Sequence, residues 1–151
     1  MHDHRDDWLL ELGKSIGMPK LKFDKERFCN INLDEDIFLS IFKQNNNTDL
    51  GLMGGFHVSE LQEYVLKKML LNNRKSREQD RPVLSLSEDG SFIGVHLNMN
   101  YSQLHMNEPR IDRIVTEIEY WKSKLSNFKN SNSNSNSNSN LDNFHHGLRF
   151  V

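Results

Sequence analysis

Histidines stand at positions 2, 4, 57, 96, 105, 145 and 146, and the chain's single cysteine is Cys29. Imidazole and thiolate are the side chains that ligate transition metals or carry acid–base and nucleophilic chemistry, so they set the first question. His2 with His4, and His145 with His146, have the spacing to share an ion. Both pairs fall in terminal stretches, where such affinity is incidental. His96 alternates with Val95 and Leu97 and reads as a surface histidine. Cys29 would act as a nucleophile only beside a positioned base. Its place in an alternating stretch reads instead as a small buried hydrophobe. The acidic run Asp34-Glu35-Asp36 lacks the further oxygen ligands and closing glutamate of a calcium loop, and reads as a solvated turn. Gly51, Gly54 and Gly55 lack the lysine and Ser/Thr of a phosphate loop and the spacing of a dinucleotide fingerprint. The expectation is therefore no catalytic, cofactor-binding or metal site, and no enzyme.

The bulk properties narrow the partners. The 151 residues carry a formal charge of −2, with 36% hydrophobic and 26% charged residues, which suits one domain with a modest core. That charge provides no basic field for nucleic acid or anionic lipid. No apolar run approaches the roughly 20 residues needed to span a bilayer, so no membrane insertion is expected. The opening residues lack the apolar run of a signal peptide, and one cysteine suits a reducing compartment; both point to a cytoplasmic protein.

What remains is the scaffold. Trp8, Leu9, Leu12 and Ile16 share one helical stripe, predicting a helix from about Asp6 to Ile16 that Gly17 and Pro19 end. Leu21 and Phe23 read as a short strand. Cys29, Ile31 and Leu33 alternate with asparagines as a strand with one buried face. Ile37 to Phe42 is nearly continuous in apolar character, as in a strand covered on both faces or meeting a partner. Leu50 to Phe56 reads either as a further strand or as a glycine-rich connection. A second helix is predicted from about Ser59, with Ser59 and Gln62 as a capping pair. Leu61, Tyr64, Val65, Leu66, Met69, Leu70 and Leu71 give it more than one apolar stripe, so it must be covered twice. A second copy of the chain is the natural cover, with Leu61, Val65 and Met69 as the dimer-interface candidates. Asn72 to Arg81 reads as an exposed loop, residues 83 to 97 as a hairpin, and Asn107 to Lys129 as a third helix. The fold class is α+β: three helices on a mainly antiparallel sheet of five to six strands, occupying residues 1–129. Asn130 to Asn140 is a Ser/Asn alternation, predicted to be a disordered linker, and 141–151 forms an apolar tail.

The stretch Leu9 to Pro19 holds a helix with a Leu-Gly pair and a Gly-hydrophobic-Pro exit. Phe23-Asp24 follows, then a strand with a central Cys29 closed by Asp34. This pattern resembles the opening of the Tir chaperone (CesT) family, the class I chaperones of bacterial type III secretion. The resemblance implies a homodimer with the second helix in or near its interface. It also implies a cargo, the N-terminal segment of a secreted effector kept extended and soluble without ATP. A dimeric adaptor or regulator of the same fold, not tied to secretion, is the alternative. An extended cargo would pair with a free sheet edge and put alternate side chains into surface pockets. The candidate effector-binding residues are Leu21, Phe23, Phe28, Ile31, Leu33 and Phe38, with Phe28 expected on the strand face opposite Cys29 and Phe38 opposite Ile37, Leu39 and Ile41. The Ser/Asn stretch and tail lie outside the family pattern, and the tail is a possible competitor for the cargo site.

Overall fold

The computed structural model describes residues 2–33, 35–105 and 110–131. In chain order the elements are α1 (His4–Ser15), β1 (Phe28–Asn32), β2 (Ile37–Lys43), β3 (Leu50–His57), α2 (Glu63–Gln79), β4 (Val83–Leu86), β5 (Phe92–Met99), α3 (Tyr101–His105) and α4 (Arg110–Ser131). The strands form one five-stranded sheet in the order β1-β2-β3-β5-β4, with every neighbouring pair antiparallel. The α+β class with an antiparallel sheet is as the periodicities required, with the short α3 as an additional helix.

Several boundaries differ from the sequence expectations, each for a local reason. Leu21 and Phe23 form no strand; they pack half-buried against the core while the Asp24 turn redirects the chain into β1. The segment 50–57 is a full strand, and it sits at the centre of the sheet. Helix α2 begins at Glu63, and its N-cap Gln62 makes no side-chain cap bond, so the Ser59 capping pair is not used. The expected loop from Asn72 is instead the second half of α2, which runs to Gln79 and ends at Asp80 in the left-handed region, φ 50°. Polar composition misled there because two of the polar side chains are structural. Ser76 is buried, and Asn73 reaches across to β4. Helix α4 starts at Arg110 rather than Asn107, with 106–109 outside the described residues. The tail and nearly all of the Ser/Asn stretch, from 132 onward, also lie outside them.

Alternation sorts the sheet into two faces. Cys29 and Ile31, Leu39 and Ile41, Leu50, Leu52 and Phe56, Ile93 to Met99 at odd positions, and Leu84 all belong to the core cluster. Leu9 of α1, Val65 and Met69 of α2, Leu104 of α3, and Ile114, Ile118 and Trp121 of α4 complete it. All strand members of this cluster come from one face, so the helices form a single layer on one side of the sheet.

Helix α1 is fixed by charge as well as by Leu9. Arg5, 4% exposed, donates to both carboxylate oxygens of Asp3 at 2.9 Å and to the carbonyl of Asn46 at 2.8 Å, tying α1 to the β2–β3 connection. Lys43 of β2 joins the cluster at 2.9 Å from Asp3 and 2.7 Å from Asp6. The Arg5 hydrogen bond, helped by Lys43, holds the Asp3 carboxyl well below its ordinary range. A depressed carboxylate pKa stabilises the fold above the ordinary pKa and loses that contribution as pH falls toward the folded value. Thermal unfolding followed through a pH series should therefore show stability falling below about pH 4. Asp3→Asn should flatten part of that fall; an unchanged slope would show that this cluster contributes nothing to it. Separately, Asn73→Ala removes both bonds to Leu84 and should cost about 1–3 kcal/mol in urea denaturation.

Candidate functional site

The second face of the sheet carries Phe28, Asn30 and Asn32 of β1, Phe38, Ser40 and Phe42 of β2, Met53 and His57 of β3, and Phe92 and His96 of β5. Among the described residues no helix packs on it. Its rings lie on the sheet instead. Phe38 stacks on Phe92 with centroids 5.1 Å apart and planes 13° from parallel, and Phe28 meets Phe42 at 5.5 Å. His57 stands edge-on to Phe92 at 5.2 Å. Two glycines make this possible. A Cβ at Gly51 would fall 2.1 Å from the Phe42 ring, and one at Gly55 would fall 2.6 Å from that of Phe92. The rings occupy the volume that side chains in the central strand would need. The result is a shallow aromatic surface whose outer ring, Phe28, is 38% exposed; Leu33, just past the end of β1, is 41% exposed.

The sheet has two edges, and they are not equivalent. Arg27 O accepts from Lys43 N at 3.0 Å, and Leu33 N donates to Ile37 O at 3.0 Å. In an antiparallel ladder these bonded pairs alternate with unbonded ones, so odd residues of β1 face β2 and even residues turn their N–H and C=O outward. At Phe28 both outward groups are taken by Asp24: its N–H donates to Phe28 O at 2.7 Å, and its carboxylate accepts from Phe28 N at 2.8 Å. Asn30 and Asn32 follow, their backbone groups directed at the open edge. On β4 the same parity, fixed by Ser87 N donating to Phe92 O at 2.9 Å, turns Leu84 outward. There Asn73 of α2 accepts from Leu84 N and donates to Leu84 O, both at 2.8 Å. The β4 edge is thus covered by a helix at its central outward residue, and the β1 edge is open at Asn30 and Asn32.

The open stretch ends at an open depression of about 460 Å³ lined by Asn32, Leu33, Glu35, Asp36, Ile37, Phe38 and His57. An extended peptide paired with β1 would run past the Phe28–Phe42 rings and reach this depression, with every second side chain toward the aromatic face. That geometry suits capture of a polypeptide in extended form. Cys29 is 4% exposed and burial pushes its thiol pKa up, and among the described residues no three His, Cys, Asp or Glu side chains are grouped to hold a metal. His96 is half-buried rather than free on the surface. Its Nε2 lies 2.6 Å from Ser85 Oγ, and burial lowers its pKa.

Of the six residues expected to meet cargo, Leu33 and Phe38 are brought together at the depression, and Phe28 lies at the other end of the β1–β2 ladder, beside Phe42. Phe28 and Phe38 lie on the face opposite Cys29. Leu21 and Phe23 sit half-buried against the helix-side core, with Lys43 Nζ 4.8 Å above the Phe23 ring. Ile31 is 3% exposed and belongs to the core, because its odd position puts it beside Cys29. On α2, Val65 and Met69 are 2% and 4% exposed and Leu61 is half-buried, all packed inward on their own chain. The side chains that α2 offers outward are Leu70 at 70% and Leu71 at 61% exposure. The sequence reading assigned no role to Phe42, Phe92, Asp24 or Asn73. Phe42 follows from Phe38 by the two-residue period, whereas a side chain covering an edge has no sequence signature.

Three solved structures share the fold. The crystal structure of the ExsC–ExsE complex matches with a TM-score of 0.70 at 19% identity, over 80% of this chain and 92% of that chain. The HopA1–SchA chaperone–effector complex gives 0.66 at 16% identity, over 80% and 94%. The Yersinia pestis type III secretion chaperone SycH, in complex with a stable fragment of YscM2, gives 0.53 at 17% identity, over 74% and 97%. No curated protein matches the chain. Residues 8–118, from the middle of α1 into α4, match the Tir chaperone protein (CesT) family, and the chain belongs to that family.

Proposed function

We propose that this chain is a type III secretion chaperone that holds the N-terminal segment of a secreted effector in extended form along the β1 edge and its aromatic face. The observation that carries the reading is the open backbone at Asn30 and Asn32 beside Phe28, Phe38 and the depression at Leu33, in a chain of this family. Two of the similar structures hold a partner polypeptide by description and the third is a chaperone–effector complex, which supports the same use here. The partner contributes hydrogen bonds along the strand and apolar side chains to the rings. It must be ordered on binding, so a long contact is needed for useful affinity. Nothing in this scheme calls for ATP, a metal or a cofactor, and the setting is the bacterial cytoplasm. A second copy of the chain completes the assembly. The exposed Leu70 and Leu71 make the outer side of α2 its proposed interface, in the helix that also carries Leu61, Val65 and Met69.

Co-expression with the products of neighbouring genes, followed by light scattering, tests the reading. Two copies of this chain with one unrelated polypeptide is the expected complex, the partner protease-resistant only over its N-terminal segment. Phe28→Asp should weaken that complex at least about tenfold with the thermal midpoint nearly unchanged, because the ring is a surface contact. An unfolded Phe28→Asp protein, or one binding as before, would remove Phe28 from the site. The double variant Leu70→Asp/Leu71→Asp should elute folded and monomeric; an unchanged dimer would move the interface elsewhere on the chain.

A further inference from the structure

We propose that the apolar tail of this same chain, residues 148–151, lies along the open β1 edge when no cargo is bound, as an internal placeholder strand. The inference rests on the reading that this edge accepts an extended segment, and it names a second occupant for it.

Three observations point to the tail. The first is position. Lys122 of α4 has its Nζ 3.7 Å from Asp36 Oδ2, on the turn that forms the depression at the end of β1. The helix therefore passes beside the site before it ends at Ser131. The second is reach. Nine residues of helix separate Lys122 from Ser131, about 14 Å. The 17 residues from there to Leu148, counted along the sequence, would span roughly 20–25 Å at the root-mean-square length of a coil of that number of residues. The tail can thus return to the edge in whatever direction the last turns of α4 point. The third is pattern. Leu148 and Phe150 are two residues apart, so both fall on one face of an extended segment. Asn30 and Asn32, whose backbone groups face the opening, have the same spacing, and their side chains share the face of Phe28 and Phe38. Pairing the two segments sets Leu148 and Phe150 beside those rings. The depression at the strand's end has Glu35 and Asp36 on its rim, and the charged side chain of the tail is Arg149.

Tethering makes a weak contact count. A covalent connection of this length would set an effective concentration on the order of millimolar, enough to occupy a site of ~0.1 mM affinity most of the time. A cargo segment with a longer contact would displace it.

Amide hydrogen exchange on the full-length chain without cargo tests this, comparing wild type with Leu148→Asp/Phe150→Asp. Both substitutions lie beyond α4, and the Ile31 amide, inside the ladder, reports whether the sheet is intact. The Asn30 and Asn32 amides should exchange about tenfold more slowly in wild type than in the variant, with Ile31 unchanged. That protection should persist on dilution. Equal rates at Asn30 and Asn32 would overturn the proposal, and so would protection lost on dilution, which would place the tail of another molecule on the edge. Either failure leaves the cargo reading standing, because Phe28→Asp tests it without altering the tail.

Discussion

Asn73 makes two hydrogen bonds that decide where this sheet is closed. An antiparallel sheet of five strands has two edges, and each edge presents backbone groups that any extended chain can pair with. At β4 the side chain of Asn73 takes both outward groups of Leu84, while at β1 the Asp24 turn takes those of Phe28 and stops there. The asymmetry that follows is the feature from which a binding site can be built. A side-chain amide suits the first task because it carries a donor and an acceptor side by side, as a backbone residue does.

The second constraint is the alternation of the strands themselves. With α1, α2, α3 and α4 all contributing to one core cluster, the other side of the sheet has to manage its own apolar residues. It does so by laying Phe42 and Phe92 over Gly51 and Gly55. Burial is thereby achieved within a single layer at the centre, and incomplete burial is left at Phe28 near the open edge. The same sheet is a finished core on one side and an unfinished one on the other. A protein that must hold an unfolded segment, and later release it, needs a surface of the second kind.

Much of this was legible in the residues. The stripe Trp8-Leu9-Leu12, the alternation of Cys29 and Ile31 with asparagines, and the apolar set of the last helix each named an element and its buried face. The placement of Phe28 opposite Cys29, and of Phe38 opposite Ile37, Leu39 and Ile41, needed only a period of two. The errors share a cause, in that side chains were judged by polarity rather than by partner. Asn72 to Arg81 looked like a loop because the sequence does not show Asn73 spanning to β4. Val65 and Met69, expected at a dimer interface, pack inward on their own chain, while Leu70 and Leu71 of the same apolar set face outward. Rotation around α2 separates them, and only the packed sheet shows which side is already covered. The resemblance in residues 9–34 carried the family, and it covers the very turn and strand that form the open edge.

The central claim is that cargo adds a strand to β1, and one substitution isolates it. The Asn30 N–H faces the opening rather than β2, so Asn30→Pro removes an edge donor without breaking the ladder, and proline is tolerated at such positions. The measurement is the affinity of this variant for the N-terminal segment of the co-purifying partner. Strand addition predicts a folded variant with binding lost by at least about tenfold, against Asn30→Ala, which keeps the N–H and should bind as wild type. A proline variant that binds as tightly as wild type would place the cargo elsewhere and contradict the account.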